Sequence, residues 1–167
     1  MKDKITCHDS KDSKFEVAPD KLTFRPSVYG ILIENGKILL SRQWDGYDFP
    51  GGGIDIDETI EEACKREFFE ETGLKVEILQ PIHCETSFFH PSHSIKHKDA
   101  YWNSLMIYFL VKKVGGKIST ENFDEDEKRY ANEAEWVELS RINEIKYFNS
   151  VDSVNIINES VLLIKAS

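Results

Sequence analysis

The sequence predicts an α/β protein in which helices pack on the faces of a mixed β-sheet. Apolar runs of strand length are interspersed with helical segments, without the regular βαβ rhythm of a parallel sheet. Asn35-Gly36 stands between two such runs, and an Asn-Gly pair is the strongest short signal for an antiparallel hairpin. The 167 residues, 40% of them hydrophobic, are enough for one domain with a single core.

The predicted elements run from a polar N-terminal arm to a closing helix. Residues 1–22 are expected to form a loose arm with at most one short strand, and residues 23–167 the domain. The domain elements are a hairpin over 27–43, a helix over 58–72, strands over 74–89, 101–114 and 133–139, a short helix over 141–147 and a helix over 150–165. Pro81 has no amide hydrogen, so its strand is expected at an edge or with a bulge.

Composition and charge exclude several classes of partner. The 30 acidic and 21 basic residues give a net charge of −9, which disfavours binding to duplex nucleic acid. No apolar run approaches the roughly 20 residues of a membrane-spanning helix. The polar N-terminus lacks the apolar segment of a signal peptide. Three cysteines without a Cys-x-x-Cys pair indicate reduced thiols, so we expect a cytoplasmic protein. Because the chain is acidic, it would need a metal cation to bind phosphates.

The helix predicted over residues 58–72 carries a dense row of glutamates. On a helical wheel its core-facing stripe begins with apolar residues: Ile60, Ala63 and Cys64. The same stripe continues into three carboxylates: Glu67, Glu70 and Glu71. Like charges one turn apart repel, and turning them toward the protein costs more unless they are neutralised. Clustered carboxylates suit a hard divalent cation, so the stripe predicts a site for Mg²⁺, with Mn²⁺ as the alternative.

A solvated acidic surface is the ordinary explanation of a glutamate-rich helix, but the surroundings favour a ligand site. The acids lie at the C-terminal end, where the helix dipole disfavours negative charge. The preceding glycines, 51–53, allow the backbone to approach a ligand, so that a carbonyl can join the metal shell. An EF-hand does not fit, because Asp55 and Asp57 lack the glycine and glutamate in register. A dinucleotide fingerprint does not fit either, because the glycines are contiguous.

The stretch from Gly52 to Leu74 resembles the Nudix box, G-x5-E-x7-R-E-U-x-E-E-x-G-U, in which U is a bulky apolar residue. All defined positions are filled at the right spacing: Gly52, Glu58, Arg66, Glu67, Phe68, Glu70, Glu71, Gly73 and Leu74. Seven fixed residues and two bulky apolar residues in register make this a very specific signal. The resemblance implies the Nudix fold, an α/β/α sandwich with a central mixed sheet.

The resemblance also implies a role for each residue of the box. The expected ligands of the cation are Gly52, through its carbonyl, and the carboxylates of Glu67, Glu70 and Glu71. Arg66 is expected to orient these carboxylates and to belong with them to the catalytic machinery. Glu58 is expected to support the start of the helix, and Gly73 to end it.

The activity implied by the resemblance is hydrolysis of a nucleoside diphosphate linked to another moiety. We expect a Mg²⁺-dependent pyrophosphohydrolase in which water attacks phosphorus, with a nucleoside triphosphate or modified nucleotide as substrate. The alternative substrate is ADP-ribose or a nucleotide sugar. Pro91, seventeen residues after Leu74, lies near the proline position associated with ADP-ribose hydrolases but out of register. A non-catalytic nucleotide sensor on the same fold is the alternative from another class, and family habit implies a homodimer.

The resemblance implies that the general base is either a glutamate of the box or an acid on a distant loop, and the substrate-binding residues are expected outside the box. The acidic segment 121–133 offers several carboxylates, of which Glu133 is the first candidate for the base; a solvated acidic loop is the alternative. Arg42 and Trp44 follow the second hairpin strand, where Trp44 can stack on a base and Arg42 can hold a phosphate. The segment 90–98 holds His90 and His93, which meet substrate phosphates if the segment closes over the site and remain solvated if it does not.

Overall fold

The computed structural model describes residues 2–125, 127–148 and 151–166, whose strands form one nine-stranded mixed sheet. The strands are β1 (Ile5–His8), β2 (Lys14–Val17), β3 (Leu22–Glu34), β4 (Lys37–Gln43), β5 (Gly46–Asp48), β6 (Gly51–Gly53), β7 (Leu74–Phe89), β8 (Tyr101–Gly116) and β9 (Ala131–Glu138). The α-helices are α1 (Ile60–Thr72) and α2 (Ser153–Ala166). Short 3-10 helices span Pro19–Lys21, Glu127–Arg129 and Leu139–Arg141.

The centre of the sheet mixes parallel and antiparallel pairs, as predicted. The order is β2-β1-β7-β8-β3-β4-β5, with β6 added to β3 and β9 added to β4. Strand β3 runs parallel to β8 over eleven partners, from Leu22 opposite Tyr101 to Leu32 opposite Val111. Strands β7 and β8 are antiparallel, with irregular register on both sides of Pro81. The proline therefore lies in a bulged stretch, which confirms that expectation.

The hairpin between β3 and β4 turns at the predicted Asn-Gly pair. Asn35 has a φ of 51° and Gly36 a φ of 74°. Two consecutive positive φ values define the type I′ turn, whose twist matches that of the flanking strands. The register that follows places Ile33 opposite Ile38, so both sides of the hairpin contribute to one core.

The two α-helices pack on opposite faces of the sheet because successive side chains of a strand alternate between faces. Val28 and Leu32 of β3 belong to a buried cluster with Ala63, Cys64 and Phe68 of α1. Ile31, on the other face, belongs to a second cluster that contains Ile156 and Ile157 of α2. The sandwich places α1 directly against β3 and the glycine strand β6.

Helix α1 begins two residues later than predicted, and its buried stripe is shifted. Thr59 is the N-cap and forms a reciprocal capping box with Glu62, so the first helical residue is Ile60. The prediction that Ile60 faces the core is wrong, because its side chain is 38% exposed. The stripe begins one turn later, at Ala63, and Phe68 fills the core against Gly30, where an added Cβ would lie 2.5 Å from the Phe68 ring.

The N-terminal segment is more ordered than the sequence predicts, and the segment after β9 is less helical. Residues 5–17 form the antiparallel hairpin of β1 and β2, and Cys7 is completely buried. A loose arm with one strand is therefore wrong as a description of this segment. The predicted helix over 141–147 is also wrong, since only the 3-10 turn Leu139–Arg141 forms there. The closing helix begins at Ser153 rather than at residue 150, which lies outside the described residues.

Alanine at Gly73 is expected to destabilise the protein more than alanine at Gly36. Gly73 ends α1 with a φ of 73°, and Gly36 has a φ of 74°, so both substitutions carry the left-handed cost of about 1–2 kcal/mol. Only at Gly73 does the new Cβ meet protein, at 2.4 Å from the Lys117 carbonyl oxygen. The free energy of unfolding in urea should fall by about 3 kcal/mol or more for Gly73→Ala and by about 1 kcal/mol for Gly36→Ala. Equal losses would contradict the close approach at the end of α1.

Candidate active site

The glycine strand β6 and the carboxylates of α1 meet at very short range. Gly52 pairs with Val28 of β3, which fixes it facing the helix. A Cβ added at Gly52 would lie 2.5 to 2.7 Å from the carboxylate atoms of Glu67. The side chain of Glu67 is only 15% exposed. A side chain at position 52 would therefore displace the Glu67 carboxylate from the place where Arg66 holds it.

Glu71 is bound from two directions beside the same strand. Its Oε2 accepts a hydrogen bond of 2.6 Å from the Ser41 hydroxyl and one of 3.3 Å from the Gly51 amide. Ser41 lies on β4 and is 5% exposed. These contacts bring the Glu71 carboxylate toward β6, on the side already occupied by Glu67. The cleft that opens here is lined by both carboxylates and by all three glycines.

Arg66 ties the start of the helix to the carboxylate cluster. Its Nη1 donates to Glu67 Oε1 at 2.9 Å and to Glu70 Oε2 at 3.0 Å. Its Nε donates to Glu58 Oε2 at 2.9 Å, and its Nη2 donates to the Gly53 carbonyl oxygen at 3.0 Å. The guanidinium thus holds one carboxylate before the helix, two on the helix and the backbone of β6 in one fixed arrangement.

Burial perturbs the two inner carboxylates strongly. Burial raises the pKa of Glu67 to about 7, although the Arg66 guanidinium opposes that rise. Burial also raises the pKa of Glu71 well above its ordinary value, against the hydrogen bond from Ser41. Nearby Glu127 raises both values further. Two neighbouring buried acids with raised pKa values are stabilised by a proton or a cation.

The donor chemistry fits a hard divalent cation. Carboxylate oxygens and backbone carbonyls are the ligands that Mg²⁺ takes in proteins, and the absence of a Cβ at Gly52 leaves the backbone of β6 open to the cleft. Within residues 2–125, 127–148 and 151–166, no three His, Cys, Asp or Glu side chains stand around a common cation position. Glu67 and Glu71, with the carbonyls of β6, are the groups that fit.

A third acid, Glu127, approaches the cleft from the loop before β9. Its Oε2 accepts a hydrogen bond of 2.7 Å from the Asp124 amide, and its own amide donates to Asp124 Oδ1 at 2.8 Å. Burial and the neighbouring charge of Asp124 raise the pKa of Glu127, against the hydrogen bond from the Asp124 amide. Glu127 lines the same cleft as Glu67 and Glu71. The reciprocal hydrogen bonds hold this partly buried carboxylate in place in the cleft that the two inner ones also line.

The other end of the cleft, whose volume is about 290 Å³, is aromatic. Trp44 stacks on Tyr130 with ring centroids 4.8 Å apart and meets His93 and Phe148 edge-on, each at 5.1 Å. Trp44 has a φ of 44°, and its amide donates to the Tyr130 carbonyl at 3.0 Å. A tryptophan held in this conformation beside a carboxylate site is typical of a functional position.

Comparison with known protein families shows to which family the chain belongs. Residues 23–157 match the family model of the NUDIX domain. The chain belongs to the NUDIX family. This match agrees with the resemblance seen in the box.

Relatives of this NUDIX hydrolase include proteins named RNA pyrophosphohydrolase. The chain is 29% identical over 144 residues to that of Campylobacter jejuni subsp. jejuni serotype O:2, covering 75% of this chain and 92% of the relative. It is 46% identical over 65 residues to that of Pseudomonas fluorescens, covering 36% of this chain and 40% of the relative. The chain thus spans less than half the length of this second relative.

Solved structures show the same fold. An ADP-ribose pyrophosphatase from Streptococcus suis has a TM-score of 0.63 at 18% identity, over 86% of this chain and 93% of that one. A NUDIX hydrolase from Nitrosomonas europaea has a TM-score of 0.62 at 17% identity, over 86% of this chain and 91% of that one. At these identities the likeness confirms the predicted α/β sandwich and nothing finer.

The structure brings some predicted substrate residues of this NUDIX hydrolase into the cleft and leaves others out. Trp44 and His93 line it. Arg42 forms an ion pair with Glu135 on neighbouring β9 and does not line the cleft. His90 is 7% exposed, and its Nδ1 bonds the Ala100 carbonyl oxygen at 2.8 Å, so it fixes the loop instead of facing a phosphate. Strand pairing and loop packing decide both positions.

Glu133 is also placed away from the cleft. It lies exposed on β9, and the acid that lines the cleft from this part of the chain is Glu127. Alternation along β9 buries Ala134 and turns Glu133 outward. The spacing Asp124-x-x-Glu127 resembles a capping box. This is the signal in the sequence that could have indicated that Glu127 is held in a fixed position.

Arg25 and Trp102 line the cleft without having been predicted to do so. Arg25 projects from β3, donates to the Ser27 hydroxyl at 2.6 Å and lies 4.2 Å above the ring of Trp102. Their register is set by the parallel pairing of β3 and β8, which local sequence patterns do not specify. Within the described part of the chain, no helix is long and apolar enough to cross a membrane.

Proposed function

We propose that this NUDIX hydrolase is a Mg²⁺-dependent pyrophosphohydrolase that cleaves a nucleoside diphosphate linked to another moiety. A nucleoside triphosphate or a modified nucleotide is the proposed substrate class. The observation that carries the proposal is the approach of Glu67 and Glu71 to the glycine strand β6, where burial raises the pKa of both acids. Such a pair binds a cation readily, and a diphosphate needs one in a protein of net charge −9.

The cation is proposed to be held by Glu67, Glu71 and the Gly52 carbonyl, with Glu70 as a further ligand and Mn²⁺ as the alternative ion. Once bound, it supplies positive charge that offsets the phosphate oxygens and polarises phosphorus. Arg66 keeps the carboxylates of Glu67 and Glu70 oriented through hydrogen bonds of 2.9 and 3.0 Å. Its other contacts, to Glu58 and to the Gly53 carbonyl, keep β6 and the helix in register.

Glu127 is proposed as the general base in place of Glu133. A base must lie within reach of the attacking water and have a pKa close to the working pH. Glu127 lines the cleft together with Glu67 and Glu71, and its pKa is raised by burial. The hydrogen bonds with Asp124 direct its carboxylate, so that it removes the proton of a water placed between it and the phosphorus.

Glu127→Gln is expected to lower kcat by about 10²-fold, which is the lower end of the range for general-base removal. Glu133→Gln is the matched control, because it makes the same change on an exposed residue six positions later. Its kcat should stay within about twofold of the wild type, since surface changes away from the site have small effects. Steady-state kinetics with the best substrate measures both. The reverse order of effects would return the role to Glu133.

The aromatic end of the cleft supports a nucleoside as the group beside the diphosphate. Trp44 and Trp102 offer ring faces, and His93 and Arg25 lie beside them. Stacking of a base on an aromatic face contributes about 1–3 kcal/mol and tolerates any base. The 5′ end of an RNA is a second candidate substrate, favoured by the relative that covers 75% of this chain. ADP-ribose or a nucleotide sugar is the remaining enzymatic alternative, and a nucleotide sensor is the non-catalytic one.

A substrate panel tests the proposal. The full chain is incubated with Mg²⁺ and dGTP, an oxidised dGTP, ADP-ribose, UDP-glucose or a 5′-triphosphorylated oligoribonucleotide, and released phosphate and pyrophosphate are measured. Turnover that stops with EDTA and returns with Mg²⁺ is the expected result. No turnover of any member, with nucleotide binding retained, would favour the sensor. Cytoplasmic location and a homodimer stay predictions, the second measurable by light scattering.

A further inference from the structure

The N-terminal hairpin of β1 and β2 borders the active-site cleft although it precedes the family match, which begins at residue 23. Its turn carries Asp9 and Ser10, and Ser10 lines the cleft. The hairpin joins the sheet through His8 opposite Phe89, immediately before the loop 90–100. This loop forms one wall of the cleft through Pro91, His93 and Lys96.

Asp9 links the turn of the hairpin to that loop. Asp9 is buried, with 8% of the residue exposed. Its carboxylate accepts hydrogen bonds of 2.9 Å from the amides of Lys11 and Ser13. These two bonds close the turn. A third, of 3.0 Å, comes from the hydroxyl of Ser92, 83 residues further along the chain. One buried carboxylate thus fixes the turn and the loop together.

His90 makes a second link, at the root of the loop. Its amide donates to the His8 carbonyl at 2.8 Å. Its ring lies 4.5 Å from that of Phe15 on β2 and 4.5 Å from that of Tyr101 on β8, centroid to centroid. Its Nδ1 bonds the Ala100 carbonyl oxygen at 2.8 Å, so the ring joins both ends of the loop.

The anchored loop reaches the groups that surround the substrate space. His93 meets Trp44 edge-on at 5.1 Å. Lys96 forms an ion pair of 2.6 Å with Asp124, the residue that directs Glu127. Movement of the loop would therefore displace the aromatic end of the cleft.

We propose that the hairpin Ile5–Val17 is a working part of the substrate site, in which Asp9 and Phe15 are positioning residues that hold the loop 90–100 as a cleft wall. Through this loop the hairpin sets the affinity for the nucleoside part of the substrate, while the carboxylate end carries out the chemistry. The identity of the ligand as a nucleotide rests on the proposed function. The anchoring itself rests on the contacts of Asp9 and His90 alone.

Ser92→Ala tests the proposal, because Ser92 is exposed and its hydroxyl is the loop's donor to Asp9. Binding of ADP in Mg²⁺ is followed by tryptophan fluorescence, since Trp44 and Trp102 line the cleft. Kd for ADP and KM for the best panel substrate should rise about five- to tenfold, because part of the energy of a lost hydrogen bond to a charged group is passed on to ligand binding, with kcat nearly unchanged. Ser92→Thr, which keeps the hydroxyl, should restore both. Asp12→Asn, an isosteric change on the exposed side of the same turn, is the control.

Limited trypsin digestion supplies a readout without nucleotide. Lys96 and Lys98 lie in the loop, so release of its anchor should speed cleavage after them in Ser92→Ala and Phe15→Leu but not in Asp12→Asn. Unchanged Kd and KM in both Ser92→Ala and Phe15→Leu would overturn the proposal, as would a fall in kcat at constant KM. If the wild type binds no ADP and hydrolyses nothing, the proposed function fails together with the affinity claim, and the digestion alone judges the anchoring.

Discussion

Glu71→Gln is expected to lower kcat/KM by about 10²- to 10³-fold, the largest loss of any single change in the protein. The side chain keeps its shape and its Ser41 contact but loses the charge that faces β6. Metal-ion stabilisation of a phosphoryl transition state is worth several kcal/mol, and each 1.36 kcal/mol is a factor of about ten in rate. Steady-state rates over a range of Mg²⁺ concentrations measure the effect.

The matched control for Glu71→Gln is Glu61→Gln on the exposed side of the same helix. It removes one carboxylate of equal charge without touching the cleft, so a general effect of net charge would appear in both variants. The control should keep kcat/KM within about twofold of the wild type. Activity of Glu71→Gln that returns fully at high Mg²⁺ would assign Glu71 to cation affinity alone, and full activity at all concentrations would contradict its role as a ligand.

The metal-free protein is expected to become less stable as pH rises from about 5 to 8. Burial raises the pKa of Glu67 from its ordinary 4.5 to about 7, so the folded state binds a proton that the unfolded state releases between these values. Stability therefore falls with rising pH in this window, by about 3 kcal/mol from Glu67 alone. Glu71 acts in the same direction. Urea unfolding in EDTA at several pH values measures the slope.

Mg²⁺ should reverse this loss, because the cation takes the place of the proton between the carboxylates. We expect little stabilisation by Mg²⁺ at pH 5 and strong stabilisation at pH 8, where both acids are ready to bind it. Glu67→Gln is the control and should flatten the slope. Asp9 and Glu58, whose pKa values are lowered, lose their contribution only below about pH 4, outside the window. A stability that does not change with pH in EDTA would refute this explanation.

Much of the frame of the site was predictable because its signals are local. The αL glycine at position 73 marks the end of α1, and Asn35-Gly36 marks the hairpin, whereas the capping box at Thr59 starts the helix two residues after the predicted start. Within α1, helical spacing alone brings Glu67 and Glu71 onto one side. The glycines of β6 were predicted to approach a ligand, and the closeness of Gly52 to Glu67 shows that a side chain at position 52 would displace that carboxylate.

The predicted site residues that lie outside the cleft are those whose partners come from distant parts of the chain. Glu127 and Glu133 are equally acidic, and only the packing of the loop against the cleft separates them. Histidine is a residue type that often binds ligands, but the ring of His90 is enclosed by Phe15 and Tyr101. Arg42 forms an ion pair with Glu135 across the paired strands β4 and β9.

The sequence by itself determined the family, the fold class and the carboxylates of the helix, because these depend on residue types at short, fixed spacings. Tertiary structure alone decided which loop acid and which aromatic rings face the cleft, and that Asp9 of the N-terminal hairpin holds its wall. The physical reason is that a loop side chain takes its place from contacts made across the sheet. Those contacts join residues that are far apart in the chain, such as Asp9 and Ser92 at a separation of 83 positions, and leave no period in the sequence.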